Sequence, residues 1–401
     1  MIDSEFNAVL EAQSERQALA RAFYADEGIY ERDVEQIFMR SWLYAGHVSE
    51  IPETGDWFLY ELDRESVIIM RDAEDSIHAL VNVCRHRGSR ICLEARGNSK
   101  RLACRYHGWV YGLDGALLAA REMDPDFDYA AHSLRKIHCE VLAGMIFINF
   151  AEHPGDFGPV REGLGPRLEP YRLEEAKVAH RQDYPMQANW KLAVENYTEC
   201  YHCAPAHPEY SRGHGLAHAK NRLEQGYDRI YEEAPDCGLS DSEINRIYGA
   251  ALSFGSDFAY ERYPLIRGHV TGSEDGQAVA PLLGDISGYY GGCADFQVGP
   301  VTFALAYCDY VVIYAFRPLG KGRSTCDITW LVRGDAEEGR DYDRERVTWL
   351  WDVTTQADKQ IIENNAAGVN SRFYTPGPYS NMESFTWKFV HWYLQTMRAS
   401  E

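Results

Sequence analysis

Two short segments combine cysteine and histidine at spacings that suit a metal centre. The first contains Cys84 and His86 in a Cys-x-His pattern, and the second contains Cys104 and His107 in a Cys-x-x-His pattern. Two such loops can converge and offer two thiolates and two imidazoles to one site. That set suits a tetrahedral zinc ion. It also suits a 2Fe-2S cluster in which cysteine holds one iron and histidine the other, which raises the reduction potential.

A second group of metal-binding residue types follows at Glu199, His202 and His207. Glu199 precedes His202 by three positions, so the two share a face if this segment is helical. His202 and His207 would diverge by about 140° on a regular helix, but Pro205 should break the helix and let His207 turn back. Two histidines need one carboxylate to complete a facial triad for Fe(II), which leaves coordination positions open for O2.

Asp358 is the carboxylate that we expect to complete this triad. The helix predicted around it carries an apolar stripe on the same face, made of Trp351, Thr354, Ile361 and Ile362. A carboxylate inside such a stripe is costly unless it is paired or coordinated. An ion pair with an arginine is the alternative role for this aspartate.

The composition restricts the class of protein. A chain of 401 residues favours two domains, and its 45% hydrophobic residues are ample for a packed core. The formal charge of -21 argues against binding to nucleic acid or to an anionic membrane. The longest apolar runs, residues 141–150 and 310–316, are too short to span a bilayer, and residues 1–21 lack an apolar signal core. We therefore expect a cytoplasmic protein without disulfides.

Hydrophobic periodicity divides the chain into helical and β-rich parts. Residues 1–45 show helical spacing, and residues 46–150 carry short β-like runs separated by turn pairs, which predicts a small all-β module. Residues 151–187 read as a connection, and residues 213–300 as a loop-rich segment. The remaining predicted elements are a helix over 188–201, strands over 301–307, 310–316 and 324–332, and a long helix over 343–367.

The ligand segments resemble the large (alpha) subunits of Rieske-type non-haem iron oxygenases over nearly the whole chain. The runs Cys84-Arg-His-Arg-Gly-Ser and Cys104-Arg-Tyr-His-Gly-Trp resemble the Rieske motif, and this resemblance favours the 2Fe-2S cluster over zinc. The second family pattern is a carboxylate, two residues, His, four residues, His and a distant Asp. It is matched by Glu199, His202, His207 and Asp358.

This resemblance implies an α+β protein with two metal centres. Residues 1–45 would be a helical segment packed on the catalytic domain, and residues 46–155 an all-β Rieske domain. Residues 156–401 would be a catalytic domain of the START-like helix-grip fold, with an antiparallel sheet and a long C-terminal helix. The implied ligands are Cys84, His86, Cys104 and His107 for the Rieske 2Fe-2S cluster, and His202, His207 and Asp358 for mononuclear Fe(II).

The resemblance also implies how electrons arrive. In this family a homotrimer brings the cluster of one chain to the iron of the next, so Glu199 would link His107 of one chain to His202 of its neighbour. Most members carry Asp at the position of Glu199. The segment from Asn189 to His202 is also one residue shorter here than in naphthalene-type dioxygenases, and the longer Glu side chain can compensate for the shorter backbone. We also expect Tyr106 to hydrogen-bond near the cluster sulfurs. No dinucleotide-binding Gly-x-Gly-x-x-Gly follows a strand, so an NAD(P)H-dependent flavin/iron-sulfur reductase is the implied partner.

Within the family, the run Glu199-Cys-Tyr-His-Cys203 followed by His207-Pro208 resembles the branch that acts on glycine betaine, carnitine and proline betaine. Segments 273–276, 281–284, 368–372 and 374–379 resemble it too. The implied reaction is oxidative N-demethylation of a small quaternary ammonium substrate with O2. Such a substrate is recognised by aromatic faces. The aromatic residues available for this are Tyr201, Tyr289, Tyr290, Phe296, Phe303 and Tyr307.

Three alternatives remain at the level of the sequence. The first is hydroxylation or cis-dihydroxylation of an aromatic acid or ring, since the same aromatic pocket would hold an arene. The second is an electron carrier without a catalytic iron, which predicts no second ligand motif. The third is a helix-grip binding domain that has lost its iron, which predicts replaced ligands. The presence of all four second-site residues disfavours the last two.

Overall fold

The computed structural model describes residues 3–14, 16–214, 220–239 and 257–399. The chain forms two compact units. One unit is Arg40–Gly155, and the other combines the residues up to Met39 with those from Asp156 onwards. Within the described residues, no helix has both the length and the apolar character needed to cross a membrane.

The unit Arg40–Gly155 is built mainly of β-strands. They are β1 (Leu43–His47), β2 (Asp56–Leu62), β3 (Glu65–Arg71), β4 (Ile77–Val81), β5 (Arg96–Asn98), β6 (Leu102–Ala103), β7 (Val110–Tyr111), β8 (Leu117–Ala119), β9 (Lys136–Leu142) and β10 (Met145–Asn149). Seven strands form a sheet in the order β1-β10-β9-β4-β3-β2-β5, and β6, β7 and β8 form a second, small sheet. All the strand pairs are antiparallel. The expected all-β fold is confirmed.

The core of this unit extends from the large sheet to the two cysteine-bearing loops. Ile68 and Leu80 of the sheet belong to the same buried cluster as Cys84, Cys104 and Trp109 of the loops. Burial of apolar side chains is favourable in proportion to the area removed from water. The cysteine end of each loop is therefore anchored to the sheet by packing.

The other unit combines helices with one six-stranded sheet. Its helices are α1 (Asp3–Ala12), α2 (Arg21–Ala25), α3 (Glu27–Asp33), α4 (Gly158–Leu168), α5 (Trp190–Tyr197), α6 (Cys203–Ala206), α7 (Pro208–Gly213), α8 (Lys220–Glu233), α9 (Arg344–Val369) and α10 (Ser384–Arg398). Its strands are β11 (Ala176–Met186), β12 (Phe258–Pro264), β13 (Gly292–Val298), β14 (Thr302–Ala306), β15 (Tyr310–Gly320) and β16 (Arg323–Arg333). The strand order is β11-β16-β15-β14-β13-β12, with every pair antiparallel. The expected antiparallel sheet and long helix are confirmed.

One face of this sheet is covered by α5 and α9. The hydroxyl of Tyr314 on β15 lies 2.9 Å from Oγ1 of Thr355 on α9. Trp351 of α9 donates its Nε1–H to the hydroxyl of Tyr310 at 2.8 Å. The ring of Tyr197 on α5 lies 5.2 Å from that of Tyr314. Because strand residues alternate between the two faces, these contacts define which side chains of each strand lie beneath the helices.

Two stretches that we expected to be irregular contain regular elements. The connection over 151–187 contains α4 and β11, and the loop-rich segment 213–300 contains α8, β12 and β13, with residues 215–219 and 240–256 outside the described residues. Prolines obscured the pattern: Pro166 lies inside α4, and Pro185 lies in β11. An edge strand such as β11 tolerates proline because one side of its backbone makes no ladder hydrogen bonds.

A buried ion pair joins the N-terminal helices to the helix that leads into the second ligand group. Asp33 contacts Lys191, and both side chains are 0% exposed. Tyr393 and Trp190 also donate to the Asp33 carboxylate, at 2.8 and 3.1 Å. Burial raises the pKa of Asp33 and lowers the pKa of Lys191, while each partner's charge opposes the shift of the other. The pair is therefore stable only while both members are present.

We expect Lys191→Met to lower the free energy of unfolding by about 3–5 kcal/mol, because it leaves the Asp33 carboxylate buried without its counter-charge. The matched control is Lys321→Met. Lys321 is 41% exposed and lies 3.5 Å from Glu27, so its loss should cost about 1 kcal/mol or less. Urea titrations of both variants followed by circular dichroism measure the difference. Equal stability of the two variants would contradict a structural role for the buried pair.

Candidate functional site

The two cysteine–histidine loops of the β unit share one backbone geometry. In the first, the N–H of Gly88 donates to the carbonyl oxygen of Cys84 at 2.9 Å, and in the second, the N–H of Gly108 donates to that of Cys104 at 3.0 Å. Gly88 and Gly108 have φ angles of 76° and 73°. Side chains with a Cβ rarely adopt this left-handed conformation. Each loop therefore needs the glycine that lies four residues after its cysteine.

The two thiols lie inside and the two imidazoles lie outside. Cys84 and Cys104 are each 2% exposed, whereas His86 and His107 are exposed. The two imidazole rings lie 4.4 Å apart between centroids. The ring of Trp109 stacks on His86 at 4.8 Å and fixes its orientation.

This arrangement fits a two-iron cluster better than a single zinc ion. Donor atoms around a tetrahedral zinc lie roughly 3.5 Å apart. Among the described residues, one set of three candidate ligands has donor atoms within 4.8 Å of one another, and that set lies in the other unit. The two thiols and two imidazoles of these loops therefore do not form such a close set. A cluster with two thiolates on its inner iron and two imidazoles on its outer iron needs the wider spacing found here.

The hydroxyl near the cluster ligands belongs to Tyr111, and the expectation for Tyr106 was wrong. Tyr106 is 55% exposed and lies against the ring of His107. Tyr111 is fully buried, and its hydroxyl lies 3.2 Å from Sγ of Cys84 while it accepts the N–H of Arg85. A hydroxyl at a ligand sulfur tunes the potential of an iron–sulfur cluster. The sequence signal that was missed is the strand β7, which follows the second loop directly and carries this tyrosine into the core.

The second ligand group lies in a turn and not on one helix face. Helix α5 ends at Tyr197, and Glu199 accepts the backbone N–H groups of Tyr201 and His202. The shared helix expected for Glu199 and His202 is therefore wrong. Pro205 lies within the single turn of α6, and the backbone changes direction at His207, where φ is -128° and ψ is 69°. The chain does turn back as expected, but at His207 itself.

His202, His207 and Asp358 converge on one point. Nε2 of His202 and Nε2 of His207 lie 3.1 and 2.8 Å from the same oxygen, Oδ1 of Asp358. The three donor atoms all lie within 4.8 Å of one another. His207 is 1% exposed, and the other two side chains are less than one fifth exposed. Two imidazoles and one carboxylate with open positions form the donor set of non-haem Fe(II) oxygenases.

Hydrogen bonds between carboxylates and imidazoles at this point shift the pKa values of both. Burial raises the pKa of Asp358, but hydrogen bonds with His202 and His207 outweigh it and hold the pKa below its ordinary value. Burial lowers the pKa of His202, but hydrogen bonds with Asp358 and Glu199 outweigh it and raise the pKa to about 10. The described ion pairs of Asp358 are with these histidines. The alternative partner, an arginine, is not found among the described residues.

Glu199 orients the first histidine of this group. Its Oε1 lies 2.5 Å from Nδ1 of His202. Histidines that bind metals usually donate the other ring N–H to a carboxylate, which fixes the tautomer and leaves the free nitrogen for the metal. Glu199 therefore occupies the place of a supporting carboxylate, and Nε2 of His202 is left to face Asp358.

Aromatic rings cover the sheet next to these ligands. Tyr197 contacts Phe303 at 4.4 Å and Tyr314 at 5.2 Å between ring centroids. Further along the same surface, Nε2 of His214 and the hydroxyl of Tyr307 share a hydrogen bond of 2.8 Å. Burial lowers the pKa of His214 to about 4, so its ring is neutral. The surface beside the ligands is thus aromatic, with little positive charge.

Only part of this aromatic surface was predicted from the sequence. Phe303 and Tyr307 were among its candidates, whereas Tyr201 is 56% exposed and Tyr290 packs against Arg262. Tyr197 and Tyr314 were not predicted. The signal for Tyr314 was present, because every second residue from Val312 to Phe316 on β15 faces the same way.

Family models match both units of the chain. A model of the Rieske [2Fe-2S] domain matches residues 41–138, and a model of the ring hydroxylating alpha subunit (catalytic domain) matches residues 173–399. The chain belongs to the alpha subunits of the Rieske-type ring-hydroxylating oxygenases, because the second match alone covers more than half of it. It is an oxidoreductase with a Rieske 2Fe-2S cluster and a mononuclear iron, and the donor sets described above fit both groups.

Similar proteins lie in two groups of this family. The glycine betaine monooxygenase oxygenase subunit of Pseudomonas aeruginosa (strain UCBPP-PA14) is 36% identical over 383 residues, which are 95% of this chain and 89% of that protein. The carnitine monooxygenase oxygenase subunit of Escherichia coli (strain K12) is 36% identical over 194 residues, 47% of this chain and 52% of that protein. The biphenyl dioxygenase subunit alpha of Metapseudomonas furukawaii is 32% identical over 203 residues, 47% of this chain and 44% of that protein.

Solved structures share the fold. A quaternary ammonium Rieske monooxygenase in complex with L-carnitine has a TM-score of 0.69 and 23% identity, with 96% of this chain and 95% of that chain covered. Naphthalene 1,2-dioxygenase from Rhodococcus sp. bound to indole has a TM-score of 0.66 and 18% identity, with both chains fully covered. The expected combination of a Rieske domain with a helix-grip catalytic domain is confirmed.

Proposed function

We propose that this chain is the terminal oxygenase of a multicomponent system that removes an N-methyl group from a small quaternary ammonium compound. One observation carries the proposal. Two imidazole nitrogens and a carboxylate oxygen converge beside an aromatic surface, in a chain 36% identical over 95% of its length to a glycine betaine monooxygenase oxygenase subunit.

We propose definite ligand roles within this system. Cys84, Cys104, His86 and His107 hold the 2Fe-2S cluster, and His202, His207 and Asp358 hold the mononuclear iron. The cluster supplies single electrons, and the iron binds and activates O2 when both are in place. The separation of buried thiols from exposed imidazoles supports the first assignment, and the shared contact at Oδ1 of Asp358 supports the second.

The proposed reaction balances without further cofactors in this chain. One oxygen atom of O2 is inserted into a C–H bond of an N-methyl group, and the other leaves as water after uptake of two electrons and two protons. The resulting N–CH2OH group breaks its C–N bond and releases formaldehyde, a tertiary amine and a proton. The aromatic surface excludes water and holds the N-methyl groups, which have no hydrogen-bond donor.

We propose that Glu199 carries the electronic link between subunits. In a homotrimer, it would join His107 of one chain to His202 of the next, and its 2.5 Å contact with Nδ1 of His202 supports this role. The sequence shows no dinucleotide-binding motif after a strand. A separate NAD(P)H-dependent flavin/iron-sulfur reductase is therefore the proposed electron donor.

Formaldehyde release tests the proposal. The holoenzyme, with a reductase and NADH, is assayed against glycine betaine, carnitine, proline betaine and a panel of benzoates, with O2 consumption recorded in parallel. We expect formaldehyde from at least one betaine in a 1:1 ratio to O2 consumed. Conversion of a benzoate to a phenol or diol, with all betaines inert, would overturn the amine substrate and favour the aromatic alternative.

A further inference from the structure

Two carboxylates lie opposite each other on the aromatic face of the six-stranded sheet. Asp295 on β13 pairs with Glu261 on β12 and, on its other side, with Leu305 on β14. Directly paired residues of antiparallel strands point to the same face. Leu305 lies two residues from Phe303, whose ring contacts Tyr197 of α5. Asp295 and Glu261 therefore lie on the face covered by α5 and α9.

Asp295 is largely buried, although not completely. Burial raises the pKa of its carboxyl well above the ordinary value, and the charge of Glu261 raises it further. Part of the residue nevertheless remains accessible. Burial is the main cause that raises the pKa of Tyr197, and the nearby charge of Asp295 is the second. The carboxyl of Asp295 therefore lies near the aromatic surface to which Tyr197 belongs.

No described side chain neutralises Asp295. Within the described residues it has no hydrogen bond and no ion pair, and it belongs to no set of candidate metal ligands. Glu261 differs, because the charge of Lys388 lowers its pKa against the effect of burial. A buried carboxyl without a partner resists ionisation, and a cation placed beside it would favour the ionised form. Such groups concentrate at functional sites, where a ligand supplies the missing interaction.

The aromatic surface beside Asp295 extends to the proposed iron ligands. Tyr197 contacts the ring of Tyr314 at 5.2 Å, and the hydroxyl of Tyr314 lies 2.9 Å from Oγ1 of Thr355. Thr355 precedes Asp358 by three residues on α9, so the two lie on the same face of that helix. One continuous surface therefore runs from the unpaired carboxylate to the triad.

We propose that Asp295, assisted by Glu261, binds the quaternary ammonium group and selects cationic substrates over neutral ones of the same shape. This role rests on the proposed function. A quaternary ammonium offers no N–H donor, so charge and ring faces are the only strong contacts it can make. Asp295 supplies the charge, and Tyr197 and Phe303 supply the rings. Asp295 is a specificity-determining residue that takes no part in the oxidation itself.

The test compares two ligands that differ only in charge. Glycine betaine and 3,3-dimethylbutanoate have the same shape and the same carboxylate, but carbon replaces the quaternary nitrogen in the second. Binding of each to the oxidised holoenzyme is measured by calorimetry without reductase, so that no turnover occurs. The variants are Asp295→Asn, Glu261→Gln and, as a matched control, Asp257→Asn. Asp257 is exposed and directly precedes β12.

We expect the wild type to prefer glycine betaine by about ten- to a hundredfold over 3,3-dimethylbutanoate, whose head group is uncharged, as a close charge pair in a partly dry site predicts. Asp295→Asn should remove most of that preference while leaving the affinity for 3,3-dimethylbutanoate within about threefold. Glu261→Gln should reduce it less, because Lys388 already offsets that charge. Asp257→Asn should leave it unchanged. The melting temperature of Asp295→Asn should not fall, because the amide cannot ionise and breaks no described hydrogen bond or ion pair of this carboxyl.

The outcomes separate the two proposals. A wild type that binds both ligands equally, or neither, would overturn this role, whereas formaldehyde release from any of the betaines assayed above would leave the proposed function standing. A wild type that prefers glycine betaine, with the preference intact in Asp295→Asn, would overturn the role of Asp295 and leave the proposed function standing. Loss of preference in Asp257→Asn as well would show a non-local effect of charge and would also overturn the proposal.

Discussion

His207→Ala should abolish substrate oxidation, with turnover reduced more than about 100-fold. Loss of a residue that merely supports a ligand already costs about 10–100-fold in metal affinity or activity, and His207 is one of three proposed ligands. Its Nε2 lies 2.8 Å from Oδ1 of Asp358, and its ring is 1% exposed. Among the described residues, the set of candidate ligands at this point contains no imidazole besides His202 and His207.

Two spectroscopic readouts accompany the activity assay. The mononuclear iron content should fall from about one per chain to nearly none, while the visible spectrum of the Rieske cluster should persist, since its four proposed ligands lie in the other unit. His180→Ala is the matched control. His180 lies in the same unit as His207, and its ring lies 5.5 Å from that of Trp330, so its loss should leave iron and turnover within about twofold. A His207→Ala variant that retains both iron and activity would remove His207 from the ligand set.

Glu199→Gln should slow electron transfer from the cluster to the iron by more than about 100-fold while both metals remain bound. Glutamine keeps an oxygen that can accept the Nδ1–H of His202, as Oε1 of Glu199 does at 2.5 Å, so the ring keeps its orientation. It cannot carry the negative charge that the proposed link between subunits requires. Removal of one preorganised electrostatic contact at an enzyme's reacting site, such as an oxyanion-hole donor, typically costs about 10²–10³-fold in rate.

The step is isolated by a single-turnover experiment. The cluster is reduced chemically, substrate and O2 are added, and reoxidation of the cluster is followed by stopped-flow absorbance. Glu209→Gln serves as the control, since Glu209 on α7 lies near the same ligands in sequence and is half-buried. Slow reoxidation in Glu199→Gln with iron content unchanged is the expected result. Rapid reoxidation would mean that electrons reach the iron by another route.

The sequence alone was sufficient for the cluster loops because their geometry is local. Cys84 and His86 are two residues apart, and the glycine that closes each loop lies within four residues of the cysteine. The positive φ of Gly88 and Gly108 allows a turn that other residues resist. Short-range spacing and conformational preference therefore determine where these ligands point. Tyr111 was missed because its contact with Cys84 spans 27 positions.

The second ligand set was predictable in part. Asp358 could be inferred because a carboxylate in an apolar helical stripe needs a partner. The partner itself is found only in the folded chain, where Asp358 meets His207 across 151 positions. Glu199 and His202 were expected on one helix, but the hydrogen bonds that Glu199 accepts from the backbone hold them in a turn. A local side-chain contact of this kind competes with the helix and is not visible in the spacing.

What the sequence determined, therefore, is the chemistry: which residues can bind metals, in which loops, and in which family of oxygenases. What only the tertiary structure decided is the surface that a substrate meets. Asp295 lies in a stretch that read as loop, and its neighbours Glu261 and Leu305 come from two other strands. The physical reason is that strand pairing is non-local. A one-residue shift in register would turn Asp295 to the opposite face, so only the assembled sheet fixes where this carboxylate points.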